Sequence, residues 1–175
     1  VDDANTAVFV PMYCSITEVP ESYRQGKGDL YNFDFDAAFW VNNLVANQAY
    51  HRYSQMIPDI RKVQGEIEDK CANDQPAIES RAVELLKTNR DEAIQYLTNY
   101  SVNTAQNAPA RYQDLAKYLF VKYLDGNRKK EKDGKFLRNE YGMPAQPDFP
   151  GYTQDYYNQF GIPSCDHLKE VEPEK

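Results

Sequence analysis

Apolar residues recur along this chain in two different rhythms. Near the start a short apolar run around Thr6 to Val10 reads as a strand. A loop rich in Gly and Asp follows, with Gly26, Gly28 and Asp29 as its markers. Asp36 then suits an N-cap, and a helical pattern runs from Ala37 toward Asn73. Pro58 predicts a bend or break in it, because an interior proline removes a backbone donor and crowds the preceding turn. Met56, Ile60, Val63 and Ile67 form one apolar stripe, while Lys62, Glu66 and Lys70 make i,i+4 pairs on the wet side. Three further helices are expected. Asp74 and Pro76 precede a stripe of Ile78, Ala82, Leu85 and Leu86. Asn89 with Glu92 has the form of a capping box and opens a stripe of Ile94, Leu97, Val102 and Ala105. Asn107 and Pro109 open the last long helix, whose Tyr112, Leu115, Ala116, Leu119, Phe120 and Tyr123 share one face. Gly126 suits its stop. The short connections predict antiparallel packing.

After this point the pattern changes. Pro144, Pro147, Pro150 and Pro163 alternate with Gly142, Gly151 and Gly161, and six aromatic side chains (Tyr141, Phe149, Tyr152, Tyr156, Tyr157 and Phe160) lie between them. An ordered strap across the helices is expected, with a helical turn after Thr153 and a frayed "EVEPEK" end. A Pro-rich ligand is disfavoured, since no PxxP core has basic flanks. The predicted fold is mainly α: an antiparallel helical bundle over 36–126, preceded by an extended strand and loop segment over 1–35. A hairpin or loop and the Pro/aromatic strap over 127–175 complete one compact domain.

Composition narrows the function. The 175 residues carry a net charge of -7, with a pI near 4.9. That disfavours a phosphate-binding surface, so no nucleic-acid partner is expected. The basic cluster Arg128, Lys129, Lys130, Lys132 and Lys135 is interrupted by Glu131 and Asp133-Gly134, and reads as a solvated hairpin. An anion or partner site is the sharper alternative. No run is long and apolar enough for a membrane span. Cys14, Cys71 and Cys165 are too scattered for a disulfide framework or a metal site, so reduced thiols are expected. His51 and His167 are the two histidines and sit in no ligand pattern, so no metal or cofactor is expected.

Several segments carry more specific information. "VPMYCSITEVPE", "AAFWVNNLVANQAYHRYSQMIPDIRKVQ", "IESRAVELL", "YLTNYSVNTAQ" and "LFVKYLDG" stand in order between Val10 and Gly126. Together they resemble the C-terminal part of the family C69 dipeptidases, with Ser15 where the family pattern has Gly. The resemblance implies a larger cysteine peptidase of the N-terminal-nucleophile hydrolase class, an αββα sandwich whose first residue after self-processing is the catalytic Cys. Its α-amine acts as base and its thiolate attacks the peptide carbonyl. Val1 has no nucleophilic side chain, so the expectation is a C-terminal region with its nucleophile upstream, inactive alone. The implied partners are the remainder of the dipeptidase chain, a dipeptide substrate in the intact enzyme, and a second copy in a homo-oligomer. The compartment stays open between cytoplasm and export. A free-standing helical interaction module with Tyr-rich binding surfaces is the alternative function.

Five residues are singled out as substrate-proximal candidates: Tyr13, Cys14, Glu18, Trp40 and Asn43. Cys14 cannot be an N-terminal nucleophile, because a peptide bond ties up its amine. The leading expectation is a packed thiol at a strand end. A substrate-side wall residue, or a Cys–His pair with His51 or His167, are its alternatives. Trp40 is expected to fill core between the first helix and the strand. Asn43 is expected either to hydrogen-bond a loop or to line the dipeptide site.

Overall fold

The computed structural model describes residues 5–152 and 154–161. It is mainly helical, and the chain divides into two compact units, Val1–Val121 and Lys122–Lys175. Four helices are present among the described residues: α1 (Ala38–Tyr50), α2 (Tyr53–Leu86), α3 (Arg90–Lys122) and α4 (Gln154–Gln159).

In the first unit the expected break near Pro58 falls earlier. The helix stops at Tyr50 and restarts at Tyr53, because Arg52 takes an extended φ of -151°. The expected boundaries at Asp74–Pro76 and Asn107–Pro109 do not occur, and α2 runs for 34 residues and α3 for 33. The freed carbonyls explain how prolines are carried inside helices. A proline at position i leaves the carbonyl of residue i−4 without its helical donor. For Pro58 and Pro76 those carbonyls belong to Ser54 and Ala72, both exposed residues that water reaches. Pro109 is buried, and the Ala105 carbonyl it frees accepts a hydrogen bond from Ser22 Oγ at 3.1 Å. Ser22 sits in a 3-10 turn, Glu21–Tyr23, so one hydroxyl both repairs the helix and seats the turn.

Only Lys87 to Asn89 separate α2 from α3. Asn89 Oδ1 accepts from the Glu92 N–H at 3.2 Å, the expected N-terminal cap. Contacts between the helices fall in number along one as they rise along the other. Glu66 meets Arg111, and Cys71 faces Tyr100, so the pair is an antiparallel hairpin. Among the buried positions of α3, Thr98, Ser101, Ala105, Ala108, Tyr112, Leu115 and Leu119 form one line. They recur at alternating steps of three and four, the seam of a packed helix pair. On α2, Met56, Ile60, Val63, Gln64, Ala82 and Leu85 are buried. Leu86 and Phe120, expected on the buried stripes, are more than half exposed.

The expected strand at Thr6 to Val10 does not form: Asn5 and Thr6 lie in a turn, and the run pairs with no strand among the described residues. The helix hairpin satisfies its backbone instead. Gln64 Nε2 donates to the carbonyls of Asn5 and Ala7 at 3.0 and 2.6 Å. The Tyr112 hydroxyl donates to the Thr6 carbonyl at 2.8 Å. The Phe9 N–H donates to Glu68 Oε1 at 3.0 Å.

The second unit is built differently. A 3-10 turn at Leu124–Gly126 leads to a two-stranded hairpin, β1 (Glu131–Lys132) and β2 (Lys135–Phe136). Asp133 and Gly134 join the strands with φ of 52° and 74°. Two successive positive φ values define the tight turn whose twist matches an antiparallel pair. Isolated bridges Arg128–Asp148 and Arg138–Pro144 extend the pairing. The basic cluster therefore forms the expected hairpin, and both Arg128 and Lys130 pair with Asp148, at 3.4 and 3.3 Å. The helical turn expected after Thr153 is α4, where Tyr156 stacks on Tyr152 at 4.4 Å and meets Phe160 at 5.0 Å. Pro163, Cys165, His167 and the "EVEPEK" end lie outside the described residues.

Candidate functional site

Tyr13 is held where the N-terminal segment crosses the hairpin. Its N–H donates to Ser101 Oγ at 3.4 Å, and its hydroxyl donates to Glu79 Oε1 at 3.4 Å. Its ring lies 6.4 Å from that of Tyr100. Burial raises the Tyr13 pKa above the ordinary tyrosine value, and the Glu79 carboxylate and the neighbouring Tyr100 add to the rise. This is a hydroxyl held protonated, suited to donating a hydrogen bond rather than to removing a proton.

Cys14 is exposed and free. The expected packed thiol is thus corrected: the segment contacts the helices through the Tyr13 and Thr17 backbone, and Cys14 faces water. Glu18 is also exposed. His51 lies at the C-terminal end of α1, exposed, with no described contact to Cys14.

Trp40 belongs to a different cluster from the one expected. Its indole N–H donates to the Asp29 carbonyl at 3.1 Å, and its ring packs against Phe33 and Phe39, both at 5.3 Å. It is half-buried and anchors the Gly28–Phe35 loop onto α1, rather than filling core beside the N-terminal segment. Gly28 makes this possible: its φ is 102°, and a Cβ there would meet Ala37 at 2.8 Å and the indole at 3.0 Å. Asn43 donates to its own helix at the Phe39 carbonyl, 2.8 Å away, as Asn42 and Asn47 do one turn back on theirs. It bonds no loop.

A second feature, not singled out in the sequence, is a groove of about 300 Å³ between α2 and α3. Ile67, Cys71 and Ala108 line it, with Tyr100 and Thr104 beside them and the Glu66–Arg111 and Lys70–Asp74 ion pairs also on its walls. Burial raises the Cys71 thiol pKa, against the opposing charge of Lys70. Nucleophilic cysteines need the reverse shift. Gln64, Thr98 and Ser101, polar and buried, belong instead to the face that meets the N-terminal segment.

Every residue singled out above as a candidate, and the loop that Trp40 anchors, lies in the first third of the chain. Residues 1–66 match the model of peptidase family C69. The match supports a family C69 relationship for the chain and, with it, a peptidase function in general. It takes in the docked N-terminal segment, the 3-10 turn, α1 and the first turns of α2, and stops short of α3. No curated protein and no solved structure matches the chain. Among the described residues no helix is long and apolar enough to cross a membrane.

Proposed function

We propose that this chain is a scaffold region of a C69-type cysteine dipeptidase of the N-terminal-nucleophile class, and that it hydrolyses no dipeptide by itself. The observation that carries the reading is the C69 match over residues 1–66, combined with what those residues do. Tyr13 and Trp40 use their polar groups on intramolecular partners, and Asn43 bonds its own helix. Cys14 stands exposed with no histidine beside it among the described contacts. Cys71 is held as a thiol by burial. In the intact enzyme the nucleophile comes from the preceding part of the dipeptidase, and this region completes the fold around a dipeptide substrate and supports assembly of copies.

The test is a dipeptide panel assayed with the purified chain, with Cys14→Ala alongside. The expected result is no turnover by either. Turnover that Cys14→Ala abolishes would assign the nucleophile to Cys14 and overturn the proposal. A non-catalytic interaction module is the second reading, favoured by the exposed rings of Phe149, Tyr152 and Phe160 in the second unit. Co-expression with the preceding part of a C69 dipeptidase separates the two: restored hydrolysis supports the first reading, and its absence the second.

A further inference from the structure

The hairpin of α2 and α3 treats residues 5–17 as a binding protein treats a peptide ligand. We propose that it is a peptide-binding groove, with a segment that has no helix or strand of its own, read through its main chain, as the ligand and Asn5 to Thr17, turned at 5–6 and 14–15, as the built-in occupant. This goes beyond the peptidase reading and does not depend on it.

Three observations converge. First, the contacts are directed at main-chain atoms. Gln64 and Tyr112 supply donors to three successive carbonyls, those of Asn5, Thr6 and Ala7. Glu68, Ser101 and Thr98 supply acceptors to the N–H groups of Phe9, Tyr13 and Thr17. Main-chain reading of this kind is how extended peptides are bound at sheet edges. Here side chains of two helices do the work of the missing strand. Second, the reading groups stand at places where a helix pair would otherwise put apolar side chains. Gln64, Thr98 and Ser101 are all buried. A polar side chain at a buried seam costs stability unless a partner satisfies it. The segment supplies partners to Gln64 Nε2 and Ser101 Oγ, and its Thr17 N–H is accepted by Thr98 Oγ1, whose own proton goes to the Ile94 carbonyl of α3, so the seam is shaped for an occupant. Third, side-chain selection is confined to one end. Thr6, Ala7 and Val8 are buried at 1%, 5% and 8% exposure, whereas Phe9 is 70% exposed. The ligand class is therefore a peptide with three consecutive small or β-branched residues, tolerant of large side chains after them.

The experiment keeps the full chain. A protease site is inserted between Glu18 and Val19, both exposed, and the chain is cut after folding. A fluorescent synthetic peptide of residues 5–17 is then added. Three results are expected. The cut chain retains its helical circular dichroism, takes up the labelled peptide at one per chain in exchange for its own segment, and the uncut chain does not. Gln64→Ala removes two hydrogen bonds and weakens uptake by about tenfold or more, while Lys62→Ala on the exposed face leaves it unchanged. Loss of the helical signal as the segment leaves would make the segment a part of the core and overturn the proposal. So would no uptake by the cut chain, or equal uptake by the uncut one.

Discussion

The two units reach order by opposite means. In the first, a buried seam runs along α3 from Thr98 to Leu119, and Val41 and Val45 of α1 and Ile60 of α2 are fully buried. In the second, Lys122 and Tyr123 are the buried residues among those described. Its order comes from hairpin pairing, a left-handed two-residue turn, the Lys122–Glu131 ion pair at 3.0 Å and a stack of tyrosines. Burial of apolar area is a distributed source of stability, and removing one side chain leaves a cavity. Turn geometry is a local source, and a single backbone position decides it. The comparison teaches that a substitution's effect should follow the kind of order around it rather than its distance from a candidate site.

The largest expected effect lies in the first unit. Leu119 is fully buried, and Leu119→Ala should destabilise the chain by about 2–5 kcal/mol, the usual range for truncating a buried leucine. Lys135→Ala, on the exposed hairpin of the second unit, should stay within about 0.5 kcal/mol of wild type. Denaturant midpoints in the reverse order would break the comparison at its base.

Tyr112→Phe should cost less, about 1–2 kcal/mol, the value of a lost buried hydrogen bond to the Thr6 carbonyl. It also gives a pH signature. Burial raises the Tyr112 pKa above that of an unfolded tyrosine. A raised folded pKa means that the stabilisation is complete below the unfolded value of about 10 and declines as pH rises beyond it. Wild type should therefore lose stability in the alkaline range, and Tyr112→Phe should lose less. Equal slopes in alkaline denaturant titrations would show that the buried hydroxyl is not what titrates.

The smallest expected effect is local to the second unit. Gly134→Ala forces a side chain onto a φ of 74° and should cost about 1 kcal/mol of hairpin order. Amides flanking Asp133 should exchange faster, with protection from Leu115 to Leu119 unchanged. Loss of protection in both places would join the two regimes into one.

The seam on the second half of α3 was legible because Tyr112, Leu115, Ala116 and Leu119 are all apolar and regularly spaced. The hairpin turn and the Asn89 cap were legible because each rests on local chemistry. Helix continuity was not. Pro76 and Pro109 look like starts unless one knows what takes the freed carbonyl, which is water at Ala72 and, at Ala105, a hydroxyl far away in sequence. The polar Thr98 and Ser101 likewise hid the seam, since both accept N–H groups of the docked segment. For the same reason the Thr6–Val10 run looked like a strand: it is apolar and its main chain is hydrogen-bonded, but its partners are side chains. Of the candidate residues, Tyr13 and Trp40 were found by type, while their partners Glu79 and Asp29 needed the fold.

The Ser22 hydroxyl on the Ala105 carbonyl has an implication for how such sequences change. A hydroxyl at position 22 is useful chiefly while position 109 lacks an N–H, and a proline at 109 is tolerable chiefly while something at 22 can donate. The two positions behave as one inherited character. Among relatives sharing this hairpin, a loss of the proline should release position 22 to drift toward Ala or Gly, and chains that keep the proline should keep a small donor there.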